Sequence, residues 1–251
     1  MKHPVTAVFR SLLVWTVSIL LLLAWLPLLA CIRLFDRSPN LIHTGFWFRR
    51  LGRVLTHTNP FWQLEIVGPD TLPQDRAFVV VSNHQSLADI PLISNLKWEM
   101  KWVAKKELFK VPVVGWMMSL AGDIPVDRTN ARSGARMLLT AKEYLTKGCS
   151  VMFFPEGTRS RNGSVGTFSD GAFHLATKAR VPILPIAVEG SYRCLPKNSW
   201  ILGKPVTVKM RVFPPVDTAD LSHNEIPQLR EKIRGIIVSQ VEEWRKEFSS
   251  A

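Results

Sequence analysis

From Ser11 to Ile32 the chain runs for 22 residues without a single charge. That run limits the possible folds more than any other stretch. A bilayer core takes about 20 apolar residues as a helix, so the run is long enough to span. A secretory signal is the first alternative, and Leu28-Leu29-Ala30-Cys31 loosely resembles a lipoprotein cleavage site. The apolar core of a signal peptide is shorter, about 7–15 residues. Arg33, Arg37, Arg49, Arg50 and Arg53 also follow the run, and positive charge in that position stays cytoplasmic. The expectation is a helix that spans or dips into the cell (inner) membrane, with the remaining chain on the cytoplasmic face.

Ser38-Pro39 reads as a helix start, with proline at the first helical position. The segment 39–56 mixes Phe46, Trp47 and Phe48 with Arg49, Arg50 and Arg53. That composition suits a helix in the membrane interface whose arginines meet lipid phosphates. The plainer alternative is a soluble helix packed on the following domain. Several of the nine Trp lie in or near this region, as expected at a membrane–water boundary. Residues 1–58 are therefore read as an anchor and 59–251 as a single further domain.

Beyond Asn59-Pro60, strand and helix signals alternate. Strands are expected at 61–67, 77–82, 100–104, 150–154, 181–188 and 206–212, with a turn at Gly68-Pro69-Asp70. The runs 77–82 and 150–154 are continuously apolar, the mark of strands buried on both faces. Pro182 and Pro185 point to an edge or bulged strand at 181–188. Helices are expected at 132–147 and 170–179. A long amphipathic helix is read from Ile226, Leu229, Ile233, Ile237, Val241, Trp244 and Phe248, which recur every three or four residues. Such alternation predicts an α/β fold, a three-layer αβα domain with a mixed, largely buried sheet.

The net charge of +12 calls for an anionic partner. Nucleic acid is set aside, since no basic-aromatic tract or zinc-ligand spacing is present. A membrane surface or a phosphorylated substrate remains. The three cysteines, Cys31, Cys149 and Cys194, share no close spacing and imply neither a metal site nor a disulfide framework.

Ligands of open α/β sheets collect at the carboxyl ends of strands. Three polar clusters follow expected strands: 83–89 (NHQSLAD), 122–128 (GDIPVDR) and 154–160 (FPEGTRS). His84 and Asp89 are five residues apart and would not share a helix face. They can meet only if His84 lies in a loop and Asp89 opens the next helix. An Asp bonded to one imidazole nitrogen leaves the other free to take a proton, so the pair can activate a hydroxyl. Alone, the spacing is also that of an ordinary turn. Arg128 and Arg159 are candidate phosphate ligands because a guanidinium matches phosphate oxygens in pairs. Lys105 can add a point charge. Each of these, taken by itself, reads first as a solvated surface charge, and Glu156-Gly157-Thr158 can be a tight turn.

Together with 181–186 (VPILPI), the three clusters stand in the order and approximate spacing of four blocks of the glycerolipid acyltransferases. The chain most resembles the bacterial 1-acyl-glycerol-3-phosphate (lysophosphatidic acid) acyltransferases over about residues 75–190, and the segment 101–116 is also similar. The resemblance implies His84 as general base and Asp89 as its orienting partner. It implies an acceptor site formed by Asn83, Lys105, Arg128, Glu156, Gly157, Thr158 and Arg159. The donor would be acyl-CoA or acyl-carrier protein, attacked directly without an acyl-enzyme. No metal or organic cofactor is implied. Other acceptors, such as glycerol-3-phosphate or a lyso-ornithine lipid, fit the same chemistry, and a non-catalytic lipid-binding protein is a further alternative. Two departures bear on the acceptor. Ser169-Asp170 stands where relatives carry a basic pair, and Pro125 replaces a more usual apolar residue.

Overall fold

The computed structural model describes residues 5–69 and 76–250, so Asp70 of the expected turn lies outside the described residues. Gly68, at the start of that turn, has φ +101°, a conformation that costs glycine little.

Seven strands form one sheet among the described residues: β1 (Trp62–Val67), β2 (Val79–Ser82), β3 (Met100–Lys105), β4 (Ile124–Val126), β5 (Ser150–Phe153), β6 (Ile183–Glu189) and β7 (Val206–Val212). Their order is β1-β7-β6-β2-β5-β3-β4. The five strands from β6 to β4 are mutually parallel, β7 is antiparallel to β6, and β1 is parallel to β7. The sheet is thus mixed, and the carboxyl ends of five adjacent strands share one rim.

Every residue of β2, β5 and β6 is buried. Val79, Val81, Val151 and Phe153 turn to one face, with α5 (Ala131–Thr146), α6 (Gly171–Ala179) and α8 (Ile226–Ser250). Phe78, Val80 and Met152 turn to the other, with α3 (Asp89–Ile93). Burial on both faces explains the unbroken apolar runs, each side chain adding about 1.5–3 kcal/mol. The stripe from Ile226 to Trp244 is the buried face of α8.

Strand β6 is central, not an edge, which corrects the expectation drawn from its prolines. Pro182 precedes the strand, and its carbonyl accepts from Val79 N at 3.1 Å. Pro185 falls where the antiparallel ladder to β7 ends; its carbonyl accepts from Phe213 N at 3.0 Å, and only the return bond is lost. The next pairing is Ile183 with Val216, so two residues on β6 face three on the other chain segment. The bulge exists, but its extra residue lies on the partner side. Pro125, by contrast, sits exposed in β4, an edge strand, where a missing N–H is tolerated.

The N-terminal α1 (Val5–Phe35) is long and apolar enough to cross a membrane. It packs against α2 (Ile42–Thr58) and α4 (Val114–Leu120) through Leu29, Leu51 and Met117, with Trp25, Trp47 and Phe48 around them. Its other side exposes Phe9, Leu12, Leu13, Ile19, Leu20 and Leu23. Helix α2 begins three residues later than the Ser38-Pro39 signal implies. Asp36 is the reason: its Oδ2 accepts from Thr44 N (2.8 Å) and Thr44 Oγ1 (2.7 Å), while Ser38 Oγ accepts from Ile42 N (2.8 Å). Leu41 turns the chain into the helix at φ 50°. Arg49 does not face lipid. It is buried and holds Asp123 Oδ1 and Oδ2 at 2.6 and 2.8 Å. Arg50 and Arg53 remain exposed.

Candidate active site

Parallel β2 delivers the first cluster to the rim. Past Ser82 the chain leaves the sheet, and α3 starts at Asp89. His84 therefore lies in the loop and Asp89 at the helix start, the only arrangement in which the two can meet. His84 Nδ1 lies 2.8 Å from Asp89 Oδ2. The same oxygen accepts Gln85 N at 2.7 Å and Ser86 N at 2.9 Å. An oxygen serving three N–H donors acts as a carboxylate, which assigns the ring proton to Nδ1 and leaves Nε2 as an acceptor. Asp89 is fully buried, whereas the His84 side chain keeps 13% of its surface exposed. The imidazole stacks on Phe154, with ring centroids 3.9 Å apart and planes at 16°.

The third cluster follows β5 and closes over the first. Glu156 Oε1 accepts His84 N (2.8 Å) and Oε2 accepts Gly166 N (3.0 Å), while Ser160 N donates to the His84 carbonyl (2.8 Å). Burial pushes the Glu156 carboxyl above its ordinary value, against the pull of these two amide donors. Glu156 thus braces the histidine loop. Gly157 adopts φ +69°, and a Cβ there would lie 3.6 Å from Arg128 Nη1.

The cluster at 122–128 contains a strand, β4, instead of following one. Arg128 comes just after it and reaches the same rim. Its side chain is exposed and makes no hydrogen bond or ion pair with another described residue. Desolvation lowers its pKa, with Glu107 opposing. Lys105 ends β3, largely exposed, 3.6 Å from Glu107. Thr158 is exposed and Arg159 half-buried beside Gly157.

Asn83 is not at the surface of the site. It is fully buried, its Oδ1 accepting from Val188 N at 2.9 Å and its Nδ2 donating to Val188 O at 2.8 Å. It ties the end of β2 to β6, inside the fold. Ser169 donates twice to the Pro155 carbonyl, and Asp170 pairs with Arg230 on α8 at 2.7 Å. The departure from the basic pair therefore serves a contact between helices.

Three contributors carry no local sequence signal. Lys197 Nζ donates to Thr158 Oγ1 (3.2 Å) and to the Arg159 carbonyl (2.6 Å), bringing a further cation to the third cluster. Gln85 Nε2 donates to Gly163 O (2.8 Å) and Glu189 Oε2 (2.7 Å). Arg245 Nε on α8 donates to the same Glu189 oxygen at 3.2 Å. These partners are 38 to 104 residues apart, beyond any motif. Cys194 is buried and its thiol pushed up in pKa by that burial, so it offers no nucleophile.

The chain is similar to a set of named proteins. Over 141 residues it is 43% identical to a chloroplastic 1-acyl-sn-glycerol-3-phosphate acyltransferase of Brassica napus, covering 56% of this chain and 41% of the relative. Over 176 residues it is 35% identical to the human 1-acyl-sn-glycerol-3-phosphate acyltransferase alpha, covering 68% and 61%. The chain spans about half the length of the first curated relatives it matches. The crystal structure of the 1-acyl-sn-glycerophosphate (LPA) acyltransferase PlsC from Thermotoga maritima superposes with a TM-score of 0.81 at 28% identity, covering 96% of this chain and 97% of that one. The Acyltransferase family profile matches residues 63–189, from β1 through β6 and all three rim clusters, and this chain belongs to that family.

Proposed function

We propose that this protein transfers a fatty acyl group from acyl-CoA or acyl-carrier protein to the sn-2 hydroxyl of 1-acyl-glycerol-3-phosphate, giving phosphatidic acid. The observation that carries the reading is the 2.8 Å contact of His84 Nδ1 with a buried Asp89 that two backbone amides, of Gln85 and Ser86, hold in place. It leaves Nε2 as the proton acceptor. In the proposed reaction Nε2 takes the hydroxyl proton as the oxygen attacks the thioester carbonyl carbon. The C–S bond then breaks, and the thiolate leaves with the proton from the imidazolium. Asp89 stabilises that cation, and a base of this kind contributes about 10²–10⁴-fold. Arg128, Arg159 and Lys105 hold the acceptor phosphate, with Lys197 as a fourth cation. Glu156, Gly157 and Thr158 shape the pocket without touching the reacting atoms. No metal or organic cofactor is needed for this sequence of steps.

The division at residue 58 into an anchor and a catalytic unit belongs to the same proposal, as does attachment to the cytoplasmic face of a membrane. Arg10 Nη2 of α1 donates to Leu202 O at 3.1 Å, and Trp15 Nε1 to Trp200 O at 2.7 Å. Further along the helix, Trp25 Nε1 donates to Trp47 O at 3.0 Å. A helix of 31 residues is about 46 Å long, and this one lies on the same protein body near both ends. That supports a helix lying in one leaflet, its apolar outer face in the acyl chains, over one that crosses the bilayer.

The test supplies the purified full chain with labelled acyl-CoA and a panel of acceptors: lysophosphatidic acid, glycerol-3-phosphate and a lyso-ornithine lipid. Transfer to lysophosphatidic acid is expected, with loss in His84→Ala while the melting temperature is kept. Undiminished transfer in that variant would overturn the mechanism. Transfer only to the phosphate-free acceptor would overturn the roles of Arg128 and Arg159.

A further inference from the structure

Helix α2 presents three faces. Arg49, Gly52 and Thr56 turn to the domain, and Trp47, Phe48, Leu51 and Leu55 turn toward α1. His43, Phe46, Arg50, Arg53 and His57 recur at helical spacing on the remaining side. Between the end of that face and edge strand β1 lies a groove of about 560 Å³, lined by Arg53, His57, Asn59, Trp62, Leu64 and Ile66 among others. A smaller cleft of about 360 Å³ adjoins it and shares Arg53 and His57.

Two features of the groove are unexplained by the fold. Asn59 is 3% exposed, and its orientation is fixed because Oδ1 accepts from Phe61 N at 3.1 Å. That leaves Nδ2 buried in the groove wall without a hydrogen-bond partner, a costly arrangement for a donor. The Arg53 guanidinium likewise makes no hydrogen bond or ion pair with another described residue. Trp62, Leu64 and Ile66 add the alternate side chains of β1 to the lining as an apolar wall.

We propose that this groove binds the head and first acyl segment of an anionic phospholipid from the bilayer, at a site distinct from the His84 rim. The phosphate meets Arg53 and the orphaned Asn59 amide, and the chain lies along β1. Charge complementarity chooses an anion, since a cation paired with a buried N–H donor has no place for an ammonium head. The apolar wall chooses a lipid over free phosphate. The groove is lined by the end of α2, the helix that packs on α1 with its exposed apolar side, so a bilayer lipid is its occupant on the membrane attachment proposed above.

The experiment titrates dihexanoyl phosphatidylglycerol into the full chain in zwitterionic detergent and follows heat. Dihexanoyl phosphatidylcholine and inorganic phosphate are the controls. Saturable binding of the phosphatidylglycerol is expected, tighter than either control. Arg53→Gln and Asn59→Asp are each expected to weaken it about ten-fold, the loss of one charge-assisted bond. Asn59→Asp keeps the acceptor for Phe61 N, so the turn survives. Leu64→Trp fills the groove and abolishes binding, with the melting temperature of each variant as the folding check. Arg159→Gln, on the other rim, leaves binding intact. Unchanged binding in the three groove variants, equal affinity for phosphatidylcholine or phosphate, or loss in Arg159→Gln would each overturn the proposal. Acyl transfer is not read in this experiment, so its outcome is independent of the function proposed above.

Discussion

Arg49 reaches from α2 to the sheet and holds both carboxylate oxygens of Asp123, just ahead of edge strand β4. Asp123 Oδ1 also accepts Trp102 N of β3 at 3.0 Å. The pair therefore joins the N-terminal helices to the strands that end in Lys105 and precede Arg128. Side-chain exposure is 7% and 1%, so neither charge has water to fall back on. Removing one partner of a buried pair costs about 3–5 kcal/mol. Arg49→Met is expected to lower stability by that amount in denaturant titration, and Arg49→Met with Asp123→Asn to recover part of it. A single variant as stable as the wild type would show the pair to be incidental.

Asp89→Asn keeps an oxygen for the Gln85 and Ser86 amides but removes the charge that the imidazolium of the proposed reaction needs. Acyl transfer is expected to fall about 10²–10⁴-fold in kcat, with the melting temperature nearly unchanged. A drop confined to KM would contradict the role given to Asp89.

Lys197 touches the third cluster through Thr158 and the Arg159 carbonyl. A charge-assisted hydrogen bond to phosphate contributes about 1.5–3 kcal/mol, so Lys197→Gln is expected to lower kcat/KM for lysophosphatidic acid about 10–100-fold. Monoacylglycerol, which lacks the phosphate, serves as the comparison. Equal losses on both acceptors would make Lys197 a structural tie only.

Glu156 predicts a pH dependence of stability. Burial raises its folded pKa above the ordinary 4.5, so the folded state holds the proton more tightly than the unfolded chain. Its stabilising contribution is complete below pH 4.5 and is lost as pH rises through the raised folded value. Glu189 and Glu99 shift in the same direction, so the informative quantity is a difference. Melting temperatures of wild type and Glu156→Gln, taken across that window, are expected to change in the variant's favour as pH rises. Parallel curves would show that Glu156 is not titrating there.

The sequence made the sheet legible where burial is two-sided. Strands β2 and β5 read as unbroken apolar runs, and α8 reads as a stripe, because each pattern is local. The rim was legible for the same reason: parallel strands deliver their following loops to one end, so His84, Arg128 and Glu156 arrive together. What stayed hidden depends on distant partners. Ser38-Pro39 resembles a helix start, yet Asp36 caps from outside it and moves the boundary. Pro185 resembles an edge marker, yet its missing N–H falls where a ladder stops anyway. Arg49 looks like its neighbours Arg50 and Arg53 until Asp123, 74 residues on, gives it a buried partner. Asn83 stands beside His84 in sequence and serves a strand 105 residues away. No short-range pattern carries such information.

The contacts of α1 at both Arg10 and Trp25 have a mechanical consequence. A domain on a flexible leash wanders in height and tilt, and its reaction waits for a favourable pose. Here the leash is absent: side-chain contacts and hydrogen bonds join α1, α2 and the sheet. In the proposed membrane attachment, depth of immersion sets the distance of His84 from the lipid headgroups, as a keel sets the waterline of a hull. Replacing α1 with an unrelated helix of equal hydrophobicity would keep the protein afloat and leave its chemistry at the wrong draught.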